Sequence, residues 1–416
     1  MDYVGAIDQG TSSTRFLIFN TKTWKIVSSH QIEINQVFPH PGWVEIDPYE
    51  ISTSVTKCIE VALKKLNEIS GDNVASQLRA VGITNQRETT ILWDKESGKP
   101  LYNAIVWLDN RTAKTAELLI KTIPGKDADY FKKITGLPIH PYFSALKIRW
   151  LLENVEAVRR AKDKGTLMFG NVDSWIVWNL TGKHVTDVTN ASRTLLFDLE
   201  KAEWSSEMCD FFGIPMSILP EVHSSAENYG QIISSALKDV PVTGILGDQQ
   251  ASLVGHFCLK PGDIKNTYGT GTFMLCNVGT KPIFSNDGLL STIAFQLGKN
   301  KQICYALEGS GSIGGNVIRF LRDNLNFYEA SDCEKLAKSV KDCGGVVFVP
   351  CFTGLFSPYW DASARGALFG VTQYTNKAHI TRAALEAVCY QSADLLDAVS
   401  KSLPTDCRIK ALKVHF

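Results

Sequence analysis

The sequence lacks an excess of either charge. It contains 43 Lys and Arg residues and 43 Asp and Glu residues in a total of 416. A protein dedicated to nucleic acid or to an anionic membrane surface normally carries a basic excess. The balance therefore argues against both classes, and we expect no nucleic-acid partner.

Cysteine and histidine spacings typical of metal or redox sites are also missing. Ten cysteines are scattered from Cys58 to Cys407 without a CxxC pair, and the eight histidines show neither HxH nor HxxxH spacing. In so long a chain, scattered cysteines are typical of reduced, buried thiols. The pattern argues against a structural zinc site and predicts a reducing, cytoplasmic location.

Long hydrophobic runs are missing as well. No uninterrupted apolar segment approaches the roughly 20 residues that span a bilayer. The N-terminal "MDYVGAID" enters a strand at once, without a basic segment followed by an apolar one. We therefore expect no integral membrane segment and no secretory signal.

What is present is an α/β pattern long enough for two domains. In the first half, the connections between strand-like runs are too short for a crossover, which predicts antiparallel hairpins. These runs are 3–7, 15–20 and 25–34, followed by a helix over 47–66 and a buried strand over 78–85. In the second half we predict a helix starting near 308–325, a buried strand over 344–354, a helix over 378–403 and a final strand.

The stretch "AIDQGTSSTR" (6–15) combines features of an anion-binding turn. Asp8 ends a strand, Gly10 follows, and four hydroxyl residues precede Arg15. Backbone N–H groups of a turn, hydroxyls and a guanidinium are all donors for phosphate. Asp8 is better placed to hold Mg²⁺ through water than to touch a phosphate. A plain polar hairpin turn remains the alternative, because Gly, Ser and Thr favour turns.

A second Gly/Thr turn occurs 261 residues later, where Gly271-Thr272 corresponds to Gly10-Thr11. It again lies between two strand-like runs, within 263–279. The repeat predicts two related α/β domains, over 1–255 and 256–416, that face each other across a cleft. A triphosphate gripped from two domains would need two such turns.

Charged side chains follow two apolar strands. Arg87 and Glu88 come just after the strand over 78–85, and Asp248 and Gln249 follow the apolar run in "TGILGDQQ". Ligands bind at the strand ends of α/β folds. Adjacent Arg and Glu side chains supply hydrogen-bond donors and an acceptor, which suits a small polyol. Asp248 could accept a proton from a substrate hydroxyl. The alternatives are an exposed Arg87–Glu88 ion pair and a helix N-cap at Asp248.

Two long stretches carry a resemblance to a known family. "YFSALKIRWLLEN" (142–154) and "GALFGVTQYTNKAHITRAALEAVCYQ" (366–391) resemble the two signatures of the FGGY carbohydrate kinases. Further motifs, from "AIDQGTSSTR" to "PYWDASARGALFG", resemble the branch of the family that acts on glycerol. The resemblance runs to about Val414. It implies two RNase H-like domains of the actin-like ATPase fold around a central cleft, and phosphorylation of glycerol by ATP with Mg²⁺.

The resemblance also implies roles for individual residues. Asp8 matches the residue that organises Mg²⁺, and Asp248 matches the general base. Residues that match the nucleotide-binding positions are Thr11, Ser12, Ser13, Arg15, Thr270, Gly315 and Arg319. Those that match the glycerol site are Arg87, Glu88, Tyr142, Asp248 and Gln249 as polar contacts, with Trp107 and Phe273 as aromatic walls. Taken alone, each of these three aromatic residues, Tyr142 included, is more typical of a core position.

The sequence departs from the family at its end. Family members continue after "LKV" with Asp-Gly-Gly and an adenosine-binding motif, whereas this sequence reads Val414, His415, Phe416. We therefore expect an incomplete second domain with apolar surface left exposed on its last helix and strand. Two alternatives to glycerol phosphorylation stay open: a non-catalytic form that binds glycerol or a partner subunit, and a kinase for another polyol. Family members are commonly dimers or tetramers, so a homo-oligomer is implied.

Overall fold

A computed structural model of the chain describes residues 2–71, 74–311, 313–327, 329–361, 363–405 and 407–415. They form two compact units, Met1–Ala251 with Thr292–Cys304 and Ser252–Ser291 with Tyr305–Phe416. Among the described residues, no helix combines the length and the apolar composition that crossing a bilayer requires.

The elements alternate between strands and helices along the chain. In chain order, strands β1 to β21 are Tyr3–Gln9, Ser13–Asn20, Ile26–Glu33, Glu45–Ile46, Leu78–Asn85, Ile91–Asp94, Ala104–Ile105, Leu167–Gly170, Val185–Asp187, Phe197–Asp198, Glu203–Trp204, Glu221–His223, Gly230–Gln231, Pro241–Gly247, Ile264–Tyr268, Thr272–Gly279, Leu290–Phe295, Cys304–Gly311, Val347–Val349, Ala367–Phe369 and Leu412–His415. Helices α1 to α12 are Pro48–Ser70, Ala113–Ile120, Lys132–Thr135, Ser144–Asn154, Glu156–Lys164, Val172–Thr181, Val188–Ala191, Ser206–Phe212, Asp248–Gly255, Asn316–Asp323, Cys333–Lys338 and Lys377–Ser402.

The first unit is built on a six-stranded sheet with the order β13-β14-β5-β1-β2-β3. Strands β1, β2 and β3 pair antiparallel, as the short connections predicted. Strand β5 pairs parallel with β1 and with β14. The carboxyl ends of β1, β5 and β14 therefore lie at one edge of the sheet, which is where ligands bind in such folds.

Helix α1 packs on this sheet and begins as its sequence predicts. The Asp47 side chain accepts the N–H of Tyr49, and Pro48 occupies the first turn. The helix runs to Ser70, four residues beyond the predicted end, and stops at Gly71 with φ of 72°. Glycine adopts this left-handed conformation without the strain that a side chain causes.

The second unit repeats the pairing pattern of the first. Its strands β18, β16, β15 and β21 lie next to one another in that order in one sheet. Strand β15 pairs antiparallel with β16 and parallel with β21, just as β1 pairs with β2 and β5. Strand β16 pairs antiparallel with β18, as β2 does with β3. The two turns therefore lie in equivalent hairpins, but the predicted correspondence of Gly271-Thr272 with Gly10-Thr11 is wrong in register. Thr272 pairs with Tyr268 as Thr14 pairs with Gln9, so Gly269-Thr270 is the equivalent of Gly10-Thr11.

Two predictions in the second half were wrong in their bounds. The helix expected near 308–325 starts only at Asn316, because Glu308 to Gly311 pair with β16; Ser312 lies outside the described residues. Gly309 suits this strand, since a Cβ there would lie 2.7 Å from Leu395. The strand expected over 344–354 is reduced to Val347–Val349.

The last helix and strand occur where the sequence predicts them. Helix α12 is capped by Asn376, whose side chain accepts the N–H groups of Ala378 and His379. Strand β21 pairs with β15 and is the last strand of its sheet in the described chain. Val414 on β21 is 40% exposed and Tyr390 on α12 is 66% exposed, so apolar surface is accessible on both elements.

Candidate active site

Arg87 is held at the sheet edge by groups from the neighbouring strand. It is buried just past β5, and its Nε lies 3.3 Å from Oδ1 of Asp248, which follows β14. Its Nη1 also donates to Oε1 of Gln250 at 3.2 Å. Arg87 is paired with the carboxylate of Asp248, and Glu88 is paired with the guanidinium of Arg193. Both residues are buried, so the alternative of an exposed Arg87–Glu88 ion pair is wrong.

Glu88 is paired with Arg193 and has a strained backbone. Arg193 Nε donates to Oε1 of Glu88 at 2.6 Å, and neither side chain is more than 1% exposed. Glu88 has φ of 58°, which is uncommon for a residue other than glycine. Its carbonyl accepts the hydroxyls of Thr90 and Ser144, at 3.0 and 3.2 Å. Such strain persists where surrounding contacts hold it, often at functional sites.

Asp248 opens helix α9 directly after β14. Its Oδ1 accepts the N–H of Gln249 at 2.7 Å, and Gln249 Nε2 donates to its Oδ2 at 3.3 Å. A carboxylate at the first turn of a helix interacts favourably with the helix dipole. The Asp248 side chain is 35% exposed, whereas that of its partner Arg87 is 2% exposed. The carboxylate is thus held in place and still accessible.

Trp107 and Tyr142 lie side by side in the same unit. Their ring centroids are 5.7 Å apart in an edge-on arrangement, and both side chains are buried. Trp107 Nε1 donates to Thr11 Oγ1 at 2.9 Å. The predicted aromatic wall is therefore hydrogen-bonded to the predicted phosphate-binding turn.

The first Gly/Thr turn is a tight hairpin between β1 and β2. Gly10 N–H donates to the carbonyl of Ser13 at 2.9 Å. Thr14 is buried, and its hydroxyl lies 2.9 Å from that of Ser54 on α1, so it belongs to the core. Thr11, Ser12 and Ser13 are partly or fully exposed at the turn. Three of the four hydroxyl residues that the sequence suggested as donors are therefore accessible at the turn.

Asp8 lies opposite Arg15 across this hairpin. Arg15 Nη1 is 3.8 Å from Oδ2 of Asp8, whose side chain is 33% exposed. Among the described residues, no cluster of three His, Cys, Asp or Glu side chains could hold a metal ion. Magnesium does not need one, since it is usually bound through one or two carboxylates, waters and substrate phosphates. A single accessible carboxylate beside a phosphate-type turn fits that donor set.

The second Gly/Thr turn is joined to the start of helix α10. Gly314 N–H donates to the carbonyl of Thr270 at 2.8 Å, and Gly315 N–H to that of Gly269 at 2.7 Å. A Cβ on Gly314 would lie 2.6 Å from the carbonyl oxygen of Gly271, so only glycine permits this approach. Phe273 follows the turn and is buried. Arg319, one turn into α10, is exposed and lies 3.4 Å from Asp323.

The predicted residues are thus divided between the two units. The first unit contains Asp8, Thr11, Ser12, Ser13, Arg15, Arg87, Glu88, Trp107, Tyr142, Asp248 and Gln249. The second unit contains Thr270, Phe273, Gly315 and Arg319.

A buried polar network behind Arg87 and Asp248 was missed from the sequence. Thr189 Oγ1 accepts the N–H of Gly247 at 2.9 Å and donates to Asp187 at 2.8 Å. Asn190 exchanges two amide hydrogen bonds with Asn85, at 3.0 and 3.1 Å. The network fixes the ends of β5 and β14, on which Arg87 and Asp248 depend. The density of polar residues in "TDVTNASRT" was its only signal.

Lys147 is a second feature that the sequence did not reveal. It is fully buried, and its Nζ donates to the carbonyl of Pro141 at 3.1 Å and to that of Tyr142. Burial lowers the pKa of Lys147 to about 8, although the negative charge of Glu88 opposes the shift. The ammonium holds the backbone that carries Tyr142.

Asp173, at the edge of the polar network, makes stability depend on pH. Burial raises its pKa to about 7. The folded protein therefore binds a proton more tightly than the unfolded chain does, and its free energy of unfolding falls as pH rises from about 4 to about 7. Asp173→Asn is expected to remove this fall in the free energy of unfolding, which amounts to roughly a few kcal/mol between pH 5 and pH 8.

Thermal unfolding at pH 5 and pH 8 checks this prediction. Asp173→Asn should lose less stability than the parent on going to pH 8. Asp163→Asn, which makes the same chemical change at an exposed side chain, should behave as the parent does. Equal losses in the parent and Asp173→Asn would contradict the assignment of this titration to Asp173.

The chain is similar to curated and solved kinases along its whole length. It is 56% identical over 415 residues to "Probable glycerol kinase" of Caenorhabditis elegans, covering 100% of this chain and 82% of the relative. It is 36% identical to the Plasmodium falciparum glycerol kinase solved with ADP, with a TM-score of 0.84, covering 100% of this chain and 81% of that one. A xylulose kinase from Lactobacillus acidophilus, 22% identical with a TM-score of 0.81 and the same coverage, shares the fold.

The match to the family extends over both halves. Residues 3–255 match the N-terminal domain of the FGGY family of carbohydrate kinases, and residues 264–415 match its C-terminal domain. Together with the structural likeness, this confirms the predicted two-domain, actin-like ATPase type of fold. The chain is a member of the FGGY family of carbohydrate kinases.

Proposed function

We propose that this protein transfers the γ-phosphate of ATP to a terminal hydroxyl of glycerol, giving glycerol 3-phosphate and ADP. The sequence relative named as a probable glycerol kinase and the solved glycerol kinase with ADP support this substrate pair. The structural observation that carries the proposal is the meeting of Arg87 and Asp248, 3.3 Å apart, at the ends of two adjacent parallel strands. That is the position where α/β folds bind ligands.

Asp248 is the proposed general base. Its carboxylate is accessible, and it is held by Arg87 and by the N–H of Gln249. It accepts the proton of the attacking hydroxyl as the oxygen forms its bond to the γ-phosphorus and the bond to ADP breaks. Phosphoryl transfer depends mainly on positioning and electrostatics, so a carboxylate fixed from two sides suits the role.

The substrate-binding residues are proposed from the same unit and from Phe273. Arg87, Glu88 and Gln249 supply charged and amide groups for hydroxyls, and Trp107 and Tyr142 supply apolar ring surface together with the Tyr142 hydroxyl. A small triol gains specificity only if nearly every hydroxyl is paired. Phe273, buried beside the second turn, is the proposed further wall for the carbon chain.

The nucleotide is proposed to use both Gly/Thr turns. Thr11, Ser12, Ser13 and Arg15 offer hydroxyl and guanidinium donors on the first turn. Thr270 lies on the second turn, which is bonded to the α10 entry at Gly315, with Arg319 further along that helix. Asp8 would hold Mg²⁺, which when bound neutralises charge on the phosphates.

The domain division, the cellular location and the oligomeric state are also proposed. We assign the glycerol site and the first phosphate turn to residues 1–255, and the second turn to residues 256–416. The ten cysteines are scattered along the chain without a CxxC pair, a pattern that supports a reducing, cytoplasmic location. The family resemblance supports a homo-oligomer, which light scattering of the purified protein would test.

A coupled assay of ADP release tests the proposed reaction. With Mg-ATP, turnover should be on the order of 10²-fold higher with glycerol than without an acceptor. D-xylulose, the larger sugar, is the comparison substrate. Faster turnover of D-xylulose than of glycerol would favour a kinase for another polyol. Calorimetric binding of glycerol without any turnover would instead favour the non-catalytic alternative.

A further inference from the structure

Arg193 connects two of the proposed substrate contacts. Its Nε donates to Oε1 of Glu88 at 2.6 Å, and its Cζ lies 5.7 Å from the ring centroid of Tyr142. It is also 5.6 Å from the ring of Phe143. A guanidinium can bind a carboxylate at its edge and lie over an aromatic ring at the same time. Arg193 is completely buried, so these contacts are not screened by water.

Backbone hydrogen bonds anchor the loop that carries Arg193. Its N–H donates to the carbonyl of Asn190 at 3.0 Å, within the network that fixes the ends of β5 and β14. The next residue, Thr194, accepts the N–H of Ala145 at 2.9 Å, in the first turn of α4. The loop that carries Arg193 is thereby joined to the helix that follows Tyr142. With its backbone anchored by these bonds and its side chain buried, Arg193 has few alternative positions in which to place its guanidinium.

Glu88 needs such an orienting group. Its backbone is strained, and its carboxylate is buried, where an anion is costly unless a cation is bonded to it. Lys147 contributes positive charge nearby, but its Nζ is bonded to the carbonyls of Pro141 and Tyr142. Arg193 bonds directly to the Glu88 carboxylate and so restricts the rotation of that carboxylate.

We infer that Arg193 is a positioning residue that sets substrate specificity: it fixes the Glu88 carboxylate and the Tyr142 ring so that they recognise the hydroxyls of a small triol. The inference rests on the proposed function. It predicts that Arg193 acts on substrate recognition and not on nucleotide binding, because Glu88 and Tyr142 are proposed glycerol contacts and none of its named contacts is a proposed nucleotide contact. A purely structural arginine would lower stability without changing which acceptor is preferred.

Arg111 offers a matched control. It is buried in the same unit, is bonded to Asp109 and Glu45 at 2.7 and 2.8 Å, and lies 3.9 Å from the Trp43 ring. Neither of its carboxylate partners is a proposed substrate contact. Arg193→Lys and Arg111→Lys therefore make the same change to a buried, paired, ring-stacked arginine. Arg193→Gln, which keeps a donor but removes the charge, is the second test variant.

The full chain and the three variants are compared with glycerol, propane-1,2-diol, propane-1,3-diol and Mg-ATP. We expect Arg193→Lys and Arg193→Gln to raise KM for glycerol on the order of 10- to 100-fold, with KM for Mg-ATP within about twofold of the parent. The ratio of kcat/KM for glycerol to kcat/KM for at least one of the two diols should fall by a similar factor. Arg111→Lys should lower Tm but leave that preference unchanged.

Three other results would overturn the inference. An unchanged preference in folded Arg193 variants, or the same change in Arg111→Lys, would overturn the inference while leaving the proposed reaction intact. If both Arg193 variants fail to fold while Arg111→Lys folds, Arg193 has a structural role, and the inference is again overturned. If the parent itself neither phosphorylates nor binds glycerol, the proposed function fails first and the inference falls with it.

Discussion

Asp248→Asn is expected to lower kcat by roughly 10²- to 10⁴-fold, because an amide cannot accept the proton of the attacking hydroxyl. The substitution keeps the size of the side chain, and its amide oxygen can still accept the N–H of Gln249. KM for Mg-ATP should change little, since the carboxylate is proposed to act on the acceptor. Steady-state kinetics with glycerol measure the effect.

Stability must be measured beside activity in this variant. Asp248 is an ion-pair partner of the buried Arg87, and Arg87 retains its hydrogen bond to Gln250. Because Asp248 is 35% exposed, we expect a smaller loss of stability than for a fully buried pair. Asp163→Asn, at a 72% exposed side chain, is the control and should match the parent. A kcat for Asp248→Asn close to that of the parent would remove Asp248 as the base.

Gly247→Ala is expected to lower kcat/KM for glycerol by about 10²-fold, because small displacements of positioned groups have effects of this size. A Cβ at this position would lie 2.6 Å from Cδ and 2.8 Å from Cγ of Arg87, and 2.9 Å from Oε1 of Gln250. The stem of a buried arginine cannot move away freely, so the guanidinium and its partner Asp248 must shift. Gly247 is thus required by close approach of a side chain.

Gly244→Ala is the matched control in the same strand. The nearest atom to its added Cβ is the Ser225 carbonyl oxygen at 3.6 Å, an ordinary contact. It should leave kcat/KM within about twofold of the parent, as is usual where a substitution meets no clash. Equal effects of the two substitutions on kcat/KM would show that crowding of Arg87 does not control the reaction.

Much of the fold followed from local patterns in the sequence. Strand-like runs separated by short turns predicted the three N-terminal strands, and Asp47-Pro48 predicted the start of α1. Errors arose where local pattern and sheet pairing compete. Glu308 to Gly311 precede a helix and contain two glycines, yet they complete β18 because β16 provides a pairing partner.

The candidate site was predicted less completely. Family resemblance and strand ends pointed to Arg87, Glu88 and Asp248, but an adjacent Arg and Glu gave no indication of where each would find its partner. Thr14 illustrates a recoverable miss, since it shares the buried face of β2 with Phe16 and Ile18. Arg193 is the single charged residue in 188–197, a signal that indicates burial of a charge without naming its partner.

By itself the sequence determined the family, the N-terminal hairpins and the start of α1, the repetition of a Gly/Thr hairpin and the residues at the strand ends. Tertiary structure decided which polar groups meet: Glu88 with Arg193 across 105 positions, Arg87 with Asp248, and Trp107 with Thr11. The physical reason is that strand and helix signals are local, whereas a buried ion pair forms only when separate segments are brought within bonding distance. Local residue types favour a charge at a site, but only packing excludes the water that would otherwise solvate it.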